Sequence, residues 1–169
     1  MLRKLKSFDL QSKRVLIRVD FNVPIKNDIV VDDYRIRKTI PTIKHCIDQG
    51  AKVILMSHLG RPKGKINSKL SLMPAGEKLA ELLEMPLKFS HDCISDDAIN
   101  VSHNLQSGEV HLLENLRFYN EETDNDSQFS INLSKHGEIF INDAFGTAHR
   151  EHASNVGIVK HFMNKGMGL

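Results

Sequence analysis

The chain contains four short apolar runs, rich in β-branched residues, and each is followed by polar residues. The runs are RVLIRV, KVILMS, EVHLLEN and EIFIND, at Arg14–Val19, Lys52–Ser57, Glu109–Asn115 and Glu138–Asp143. Such continuous apolar character is typical of strands that are buried on both faces in a parallel sheet. Amphipathic stretches separate the runs. This alternation predicts an α/β fold, a Rossmann-like three-layer sandwich in which helices flank a mostly parallel central sheet.

The stretches between the runs have helical patterns. In Tyr34–Gln49 isoleucine recurs on one face, one of two preceding aspartates can cap the start, and Gly50 can end the helix. Pro41 lies inside this stretch, so we expect a kink or separately held first turns. Further helices are predicted over Pro74–Glu84, Asp96–Leu105 and Asn120–His136, and a short strand over Leu87–Ser90.

The length and charge of the chain fit one domain without a nucleic-acid partner. The sequence has 169 residues and a net charge of +2, and no basic stripe is interleaved with aromatic residues. No apolar run approaches the roughly 20 residues that span a bilayer. Cys46 and Cys93 fit free thiols in a reducing compartment. We therefore expect a cytoplasmic monomer that binds neither a membrane nor nucleic acid.

Polar side chains gather after each predicted strand, and the carboxyl ends of parallel strands meet at one edge of a sheet. These side chains are a carboxylate, an amide, an imidazole and three guanidinium groups: Asp20, Asn22, His58, Arg61, Arg117 and Arg150. The planar guanidinium fork can hold a phosphate or carboxylate by two hydrogen bonds. One arginine after a strand is usually a solvated surface residue. Recurrence at several strand ends instead predicts a site for a small polyanion with phosphate and hydroxyl groups.

Metal and nucleotide sites are not indicated by the sequence. The pair His149 and His152 lacks the four-residue spacing and the glutamate of the zinc-protease motif, so a structural role is expected for His152. The glycines of GRPKGK do not match the spacing of a phosphate-binding loop, and no G-x-G-x-x-G opens a helix. We expect no metal and no cofactor in this chain.

Four motifs of the sequence closely resemble the phosphoglycerate kinase family. They are VLIRVDFNVP, LMSHLGRPKG, LLENLRF and FINDAFGTAHREHAS, at Val15–Pro24, Leu55–Gly64, Leu112–Phe118 and Phe140–Ser154. The motifs follow the family's order at compatible spacing, and the resemblance covers the chain from about Phe8 to Ile158. It implies that residues 1–169 are the family's N-terminal, substrate-binding domain, without the C-terminal domain that binds nucleotide. The last residues, GIVKHFMNKGMGL, follow the family's run into its hinge only loosely.

The resemblance implies a role for each matched residue. Asp20 and Asn22 match positions that hold the hydroxyl and carboxylate end of 3-phosphoglycerate. Arg35 matches the catalytic arginine that reaches the transferring phosphoryl group and also contacts the substrate. Four further residues match the basic patch that grips the phosphate that is not transferred, and these are His58, Arg61, Arg117 and Arg150. Thr147 and His149 lie nearby, and we assign them supporting roles.

The activity implied by the resemblance is a glycolytic phosphoryl transfer, in which 1,3-bisphosphoglycerate and ADP give 3-phosphoglycerate and ATP. The family's Mg-ADP or Mg-ATP site lies in the C-terminal domain, so we expect residues 1–169 alone to be inactive. Two other interpretations remain open. The chain can be a phosphometabolite-binding module without catalysis, or, from its pI near 8.5 alone, a small nucleic-acid-binding protein.

Overall fold

The computed structural model describes residues 3–144 and 150–169, which build a seven-stranded sheet and a small hairpin. The strands are β1 Arg3–Lys4, β2 Arg14–Arg18, β3 Ile25–Lys26, β4 Ile29–Val30, β5 Lys52–Met56, β6 Lys88–Ser90, β7 Val110–Leu113, β8 Ile139–Asn142 and β9 Asn164–Met167. The sheet order is β1-β9-β8-β2-β5-β7-β6, and every neighbouring pair is parallel. The hairpin is β3-β4. The predicted parallel sheet is confirmed.

Helices connect most of these strands. The α-helices are α1 Tyr34–Asp48, α2 Met73–Leu83, α3 Asp96–His103, α4 Asn120–Thr123 and α5 Ser127–Ser134. Short 3-10 helices occur at Leu5–Ser7, Ser68–Leu70, Leu116–Phe118 and Gly157–His161. Within the two described ranges, no helix combines the length and apolar character needed to cross a membrane.

The sheet separates two apolar clusters because successive side chains of a strand point to opposite faces. On β2, Val15 and Ile17 belong to one cluster, and Leu16 belongs to the other. The first cluster includes buried residues of α1 and α2, namely Ile36, Ile43, Cys46, Ala75 and Leu79. The second includes Phe129 and Leu133 of α5 and Ile158. Helices therefore cover both faces, as the predicted three-layer sandwich requires.

Helix α1 runs unbroken from Tyr34 to Asp48 with Pro41 inside it, so its first turns are not held separately. The Asp32 carboxylate accepts a hydrogen bond from the Tyr34 N–H at 3.0 Å, which satisfies one free donor at the helix start. Gly50 follows the helix with φ +78°, a conformation that favours glycine.

The predicted single helix over Asn120–His136 is wrong, because the segment forms two helices, α4 and α5. The carboxylate of Asp126 accepts a hydrogen bond from the Phe129 N–H at 2.8 Å and caps the start of α5. Asn125, just before it, has φ 53° and so leaves the helical conformation. The aspartate favours a new N-terminus over continuation of α4.

Candidate functional site

The carboxyl ends of β2 and β5 and the segment after β7 open onto one cavity of about 290 Å³. Its lining residues are Asp20, Asn22, Arg35, His58, Gly60, Arg61, Arg117 and Arg150. All seven residues that the sequence suggested for substrate contact therefore lie around a common space. The two supporting residues, Thr147 and His149, lie outside the described residues.

One side of the cavity is built by the turn after β2 together with the first turn of α1. The Asp20 carboxylate accepts a hydrogen bond from the Asn22 N–H at 3.1 Å, which fixes the turn. Arg35 Nη1 donates to the Asn22 carbonyl oxygen at 2.8 Å and lies 3.5 Å from Asp20 Oδ1. Two acceptors, the Asp20 carboxylate and the Asn22 carbonyl oxygen, thus lie beside the Arg35 guanidinium group.

The loop after β5 is joined to the same turn by two hydrogen bonds. Ser57 Oγ accepts from the Phe21 N–H at 2.9 Å, and Asn22 Oδ1 accepts from the Gly60 N–H at 3.0 Å. Gly60 has φ +61°, which a glycine adopts without strain. Because the amide oxygen of Asn22 is occupied by Gly60, its NH₂ group is the end that remains to donate toward an anion.

The opposite side is held by Asn115, a fully buried residue. Its Oδ1 accepts from the N–H groups of Leu59 and Arg117 at 3.2 and 3.0 Å, and its Nδ2 donates to the Leu59 carbonyl at 2.7 Å. Arg117 Nη1 in turn donates to the Gly60 carbonyl at 3.2 Å. The loop after β5 and the 3-10 helix after β7 are therefore fixed relative to each other.

The electrostatics of the cavity favour an anion. Arg61 and Arg150 are exposed and Arg117 is half-buried. Burial, followed by the neighbouring Arg150 guanidinium, lowers the pKa of Arg117 from its ordinary value, yet an arginine stays charged in proteins. Burial and the nearby Arg18 guanidinium lower the pKa of His58 to about 2, so this ring is neutral. With Arg35, four guanidinium groups and a neutral imidazole face the space.

Sequence reasoning missed a buried charged network beneath this patch. Arg18, the last residue of β2, is 1% exposed and contacts His58 and Ser154, and Ser154 contacts the buried carboxylate of Glu122. The sequence offers one signal: Arg18 stands two residues after Leu16 in an apolar strand. Alternate residues of a strand share a face, so Arg18 is expected on the same buried face as Leu16. A buried charge of this kind is costly unless it is paired, so it points to a specific role.

A second cavity of about 350 Å³ adjoins the first and shares Arg61, Arg117 and Arg150 with it. Its other lining residues are Lys63, Gly64, Tyr119, Asn120, Thr123 and His152. Among residues 3–144 and 150–169, no three His, Cys, Asp or Glu side chains come together as a possible metal-ion site.

Comparison with known sequences identifies close relatives. The sequence model of the phosphoglycerate kinase family matches residues 5–169. Phosphoglycerate kinase of Borrelia hermsii is 50% identical over 160 residues, which are 95% of this chain and 41% of the relative. The enzyme of Dictyoglomus turgidum is 52% identical over 157 residues, 93% of this chain and 39% of the relative. The chain thus spans about two fifths of the length of these curated relatives.

Solved structures give the same result. The structure of phosphoglycerate kinase from Coxiella burnetii superposes with a TM-score of 0.89 at 33% identity, and that from Pyrococcus horikoshii with 0.87 at 35%. Each comparison covers 99% of this chain and 42% of the other. This chain belongs to the phosphoglycerate kinase family.

Proposed function

We propose that this chain supplies the phosphoglycerate-binding half of a phosphoglycerate kinase, a transferase of glycolysis. The reaction moves a phosphoryl group between 1,3-bisphosphoglycerate and ADP, giving 3-phosphoglycerate and ATP. The observation that carries the proposal is the cavity that three strand ends, α1 and the segment after β8 build from four arginines, a carboxylate, an amide and a histidine. Such a set fits a small molecule that carries phosphate, carboxylate and hydroxyl groups.

Each side of the cavity takes one end of the substrate in this proposal. Asp20 accepts a hydrogen bond from the substrate hydroxyl, and the NH₂ group of Asn22 donates to the carboxyl end. The basic patch, His58 with Arg61, Arg117 and Arg150, holds the phosphate that is not transferred. Arg35 lies on the Asp20 side and there meets the phosphoryl group that moves.

Phosphoryl transfer depends on positioning and on neutralising charge on the moving group more than on covalent assistance. Arg35 is the residue that provides this charge, while the basic patch keeps the substrate in line. An acyl phosphate is also prone to hydrolysis, so the reaction benefits from closure that excludes water.

The proposal assigns Mg-ADP and Mg-ATP to the part of the relatives that this chain does not span. That part is the partner expected to complete the enzyme, as a C-terminal domain that closes over the cavity. We further propose a cytoplasmic location, because glycolytic substrates are found there, and a monomeric state.

The test is calorimetric titration of 3-phosphoglycerate into Arg61→Ala, Arg117→Ala and Arg150→Ala. Losing one arginine–phosphate pair is expected to weaken binding by about tenfold or more. The largest effect is expected for Arg117, because the Gly60 carbonyl already orders its side chain. Arg37→Ala is the control, since Arg37 lies on α1 and pairs with Asp33. Wild-type affinity in all three cavity variants would contradict the proposal.

A further inference from the structure

We propose that Arg18 is a positioning residue that fixes His58 as a neutral imidazole with its proton on Nε2. An anion in the cavity then receives an uncharged N–H donor from His58, and among the described wall residues the arginines supply the positive charge. The inference rests on the proposed function for the identity of the anion. The protonation state and tautomer inferred for His58 do not depend on the proposed function.

The contact between the two side chains determines the tautomer. Arg18 Nη2 lies 2.8 Å from His58 Nδ1. A guanidinium group has five N–H donors and no acceptor, so Nδ1 must accept. A neutral imidazole that accepts at Nδ1 carries its proton at Nε2. His58 is 4% exposed, and the face that remains belongs to the cavity wall.

Arg18 is itself held in place by buried partners. Its Nε donates to Ser154 Oγ at 3.0 Å, and its Nη1 donates to the Val19 carbonyl oxygen. Ser154 Oγ donates to Glu122 Oε2, and Glu122 Oε1 accepts from the Ser154 N–H at 2.8 Å. All three groups of this network, Glu122, Ser154 and Arg18, are at most 1% exposed. The carboxylate therefore balances the guanidinium charge across one hydroxyl, and the guanidinium cannot turn away from His58 without leaving donors unpaired.

Among residues 3–144 and 150–169, the charged or titratable groups that shift the pKa of His58 all lower it, and the Asp20 carboxylate of the cavity wall is not one of them. They are Arg18 from β2, Arg117 from the 3-10 helix after β7, and Arg150 and His152 from the segment after β8. Protonation would also place a second N–H donor against a guanidinium donor. The donor strength of His58 should therefore be constant over the range in which an ordinary histidine gains charge, between about pH 5 and about pH 8.

The first experiment observes the ring directly, by heteronuclear NMR of the ligand-free chain with ¹⁵N-labelled histidine. We expect the His58 signals of a neutral ring that is protonated at Nε2 throughout this pH range. A ring protonated at Nδ1, or one that becomes cationic near its ordinary pKa, would overturn the proposal. Because this measurement uses the wild-type protein, it decides the matter even where a variant fails to fold.

Variants of Arg18 then separate positioning from general support of the fold. In Arg18→Met we expect both His58 tautomers and a pKa that rises toward the ordinary value, while Arg18→Lys, which keeps a donor, restores the Nε2 tautomer. The matched control Arg37→Met removes an exposed arginine outside the cavity and should leave the His58 spectrum unchanged. A folded Arg18→Met protein with the wild-type His58 spectrum would contradict the role assigned to Arg18.

Affinity measurements test what the neutral donor does. The amide nitrogen of glutamine can occupy roughly the position of Nε2, and asparagine is too short to reach it. For 3-phosphoglycerate, we expect His58→Gln to bind within about threefold of wild type and His58→Asn to lose about tenfold. The ratio of wild-type to His58→Gln affinity should not change with pH, whereas a ratio that falls with rising pH would show a cationic His58 and overturn the proposal. If wild-type protein binds no 3-phosphoglycerate, the proposed function fails, and the ring spectrum still judges Arg18 separately.

Discussion

At the scale of single residues, Arg35 differs from Arg117 of the basic patch in the groups that hold it. It projects from the first turn of α1, with about half of its side chain exposed, and bonds to the Asn22 carbonyl oxygen near Asp20. Arg117, in contrast, is half-buried and is held by the Gly60 carbonyl. Arg35 can therefore exchange its protein partner for a substrate oxygen at small cost. This freedom suits a group that acts when charge develops on the moving phosphoryl group.

Arg35→Ala in the complete enzyme is expected to lower kcat by about 100-fold or more, with a much smaller change in affinity for phosphoglycerate. An interaction that forms mainly in the transition state affects turnover rather than ground-state binding. Steady-state kinetics with Arg37→Ala as the control will measure this, because Arg37 lies on the same helix and pairs with Asp33. A raised KM with unchanged kcat would show that Arg35 only binds substrate.

Residues of the cavity wall were predictable from the sequence, but the residues that support them were not. The wall residues follow apolar runs as isolated polar groups, and the family resemblance adds Arg35. Ser57 and Asn115 also follow strands, yet nothing in the sequence tells which backbone groups they bond. Arg18 lies inside a strand pattern, and its burial depends on Glu122, which is 104 positions away. Such long-range pairing of buried charges is visible only in the folded structure.

At the scale of elements, the sequence predicted the central strands and the edge strand β6, over Leu87–Ser90, but missed β1 and β9 at the other edge. Strands β2, β5, β7 and β8 are apolar and buried, so their pattern is strong. β1 and β9 contain mostly polar residues and form because β8 offers an open edge. Gly166 of β9 allows β1 to approach, since a Cβ there would overlap the Arg3 carbonyl oxygen. Tertiary pairing, rather than local propensity, makes these strands.

Elements α3, β6 and β7 and the segment after α5 are joined by a buried polar chain. His136 Nε2 must donate to the Cys93 carbonyl at 2.7 Å, so in the neutral ring its Nδ1 accepts from Ser102 Oγ at 2.7 Å. Ser102 Oγ must then accept from His111 Nδ1 at 2.9 Å, which leaves His111 Nε2 to accept from Ser90 Oγ at 2.7 Å. With both rings neutral, every hydrogen bond of this chain is satisfied. Burial accordingly lowers the pKa of His111 to about 3 and that of His136 to about 4.

The free energy of unfolding should therefore fall as the pH drops below about 6.5, where these histidines gain protons in the unfolded chain but not in the native one. The contribution of neutral His111 and His136 is complete above that pH. It is lost progressively toward about pH 4. Each contributes up to about 1.4 kcal/mol per pH unit, so the pair lowers stability by on the order of 3 kcal/mol between about pH 7 and about pH 5.

Urea unfolding across this range measures the slope. His136→Asn should be less stable at neutral pH but lose less stability in acid, because one titrating group is gone. Leu133→Ala is the control, since it removes a buried, non-titrating side chain of α5 and should keep the wild-type slope. The explanation fails if His136→Asn has the wild-type dependence on pH.

At the scale of the whole molecule, the parallel sheet explains why distant segments share one site. Residues from Asp20 to Arg150 meet because β2 lies between β5 and β8 in the sheet, and all strand ends point the same way. The net charge of +2 is small, so the anion preference is local to the cavity. The residues of the proposed polyanion site thus come together through the strand order of one sheet.

A polypeptide of residues 1–169 is accordingly expected to fold, to bind 3-phosphoglycerate weakly and to have no kinase activity. Folding is expected because apolar clusters on both faces of the sheet, one around Ile17 and one around Leu16, give it a core of its own. Binding is expected because the proposed substrate residues all lie within it. Inactivity is expected because, under the proposed function, nothing then holds ADP in line with the acyl phosphate, and the gain from positioning two substrates together is lost. Cooperative thermal unfolding, calorimetric titration of 3-phosphoglycerate, and a coupled assay of ATP formation beside a mock preparation measure the three properties. ATP formation that follows the polypeptide through purification would show that residues 1–169 themselves bind nucleotide.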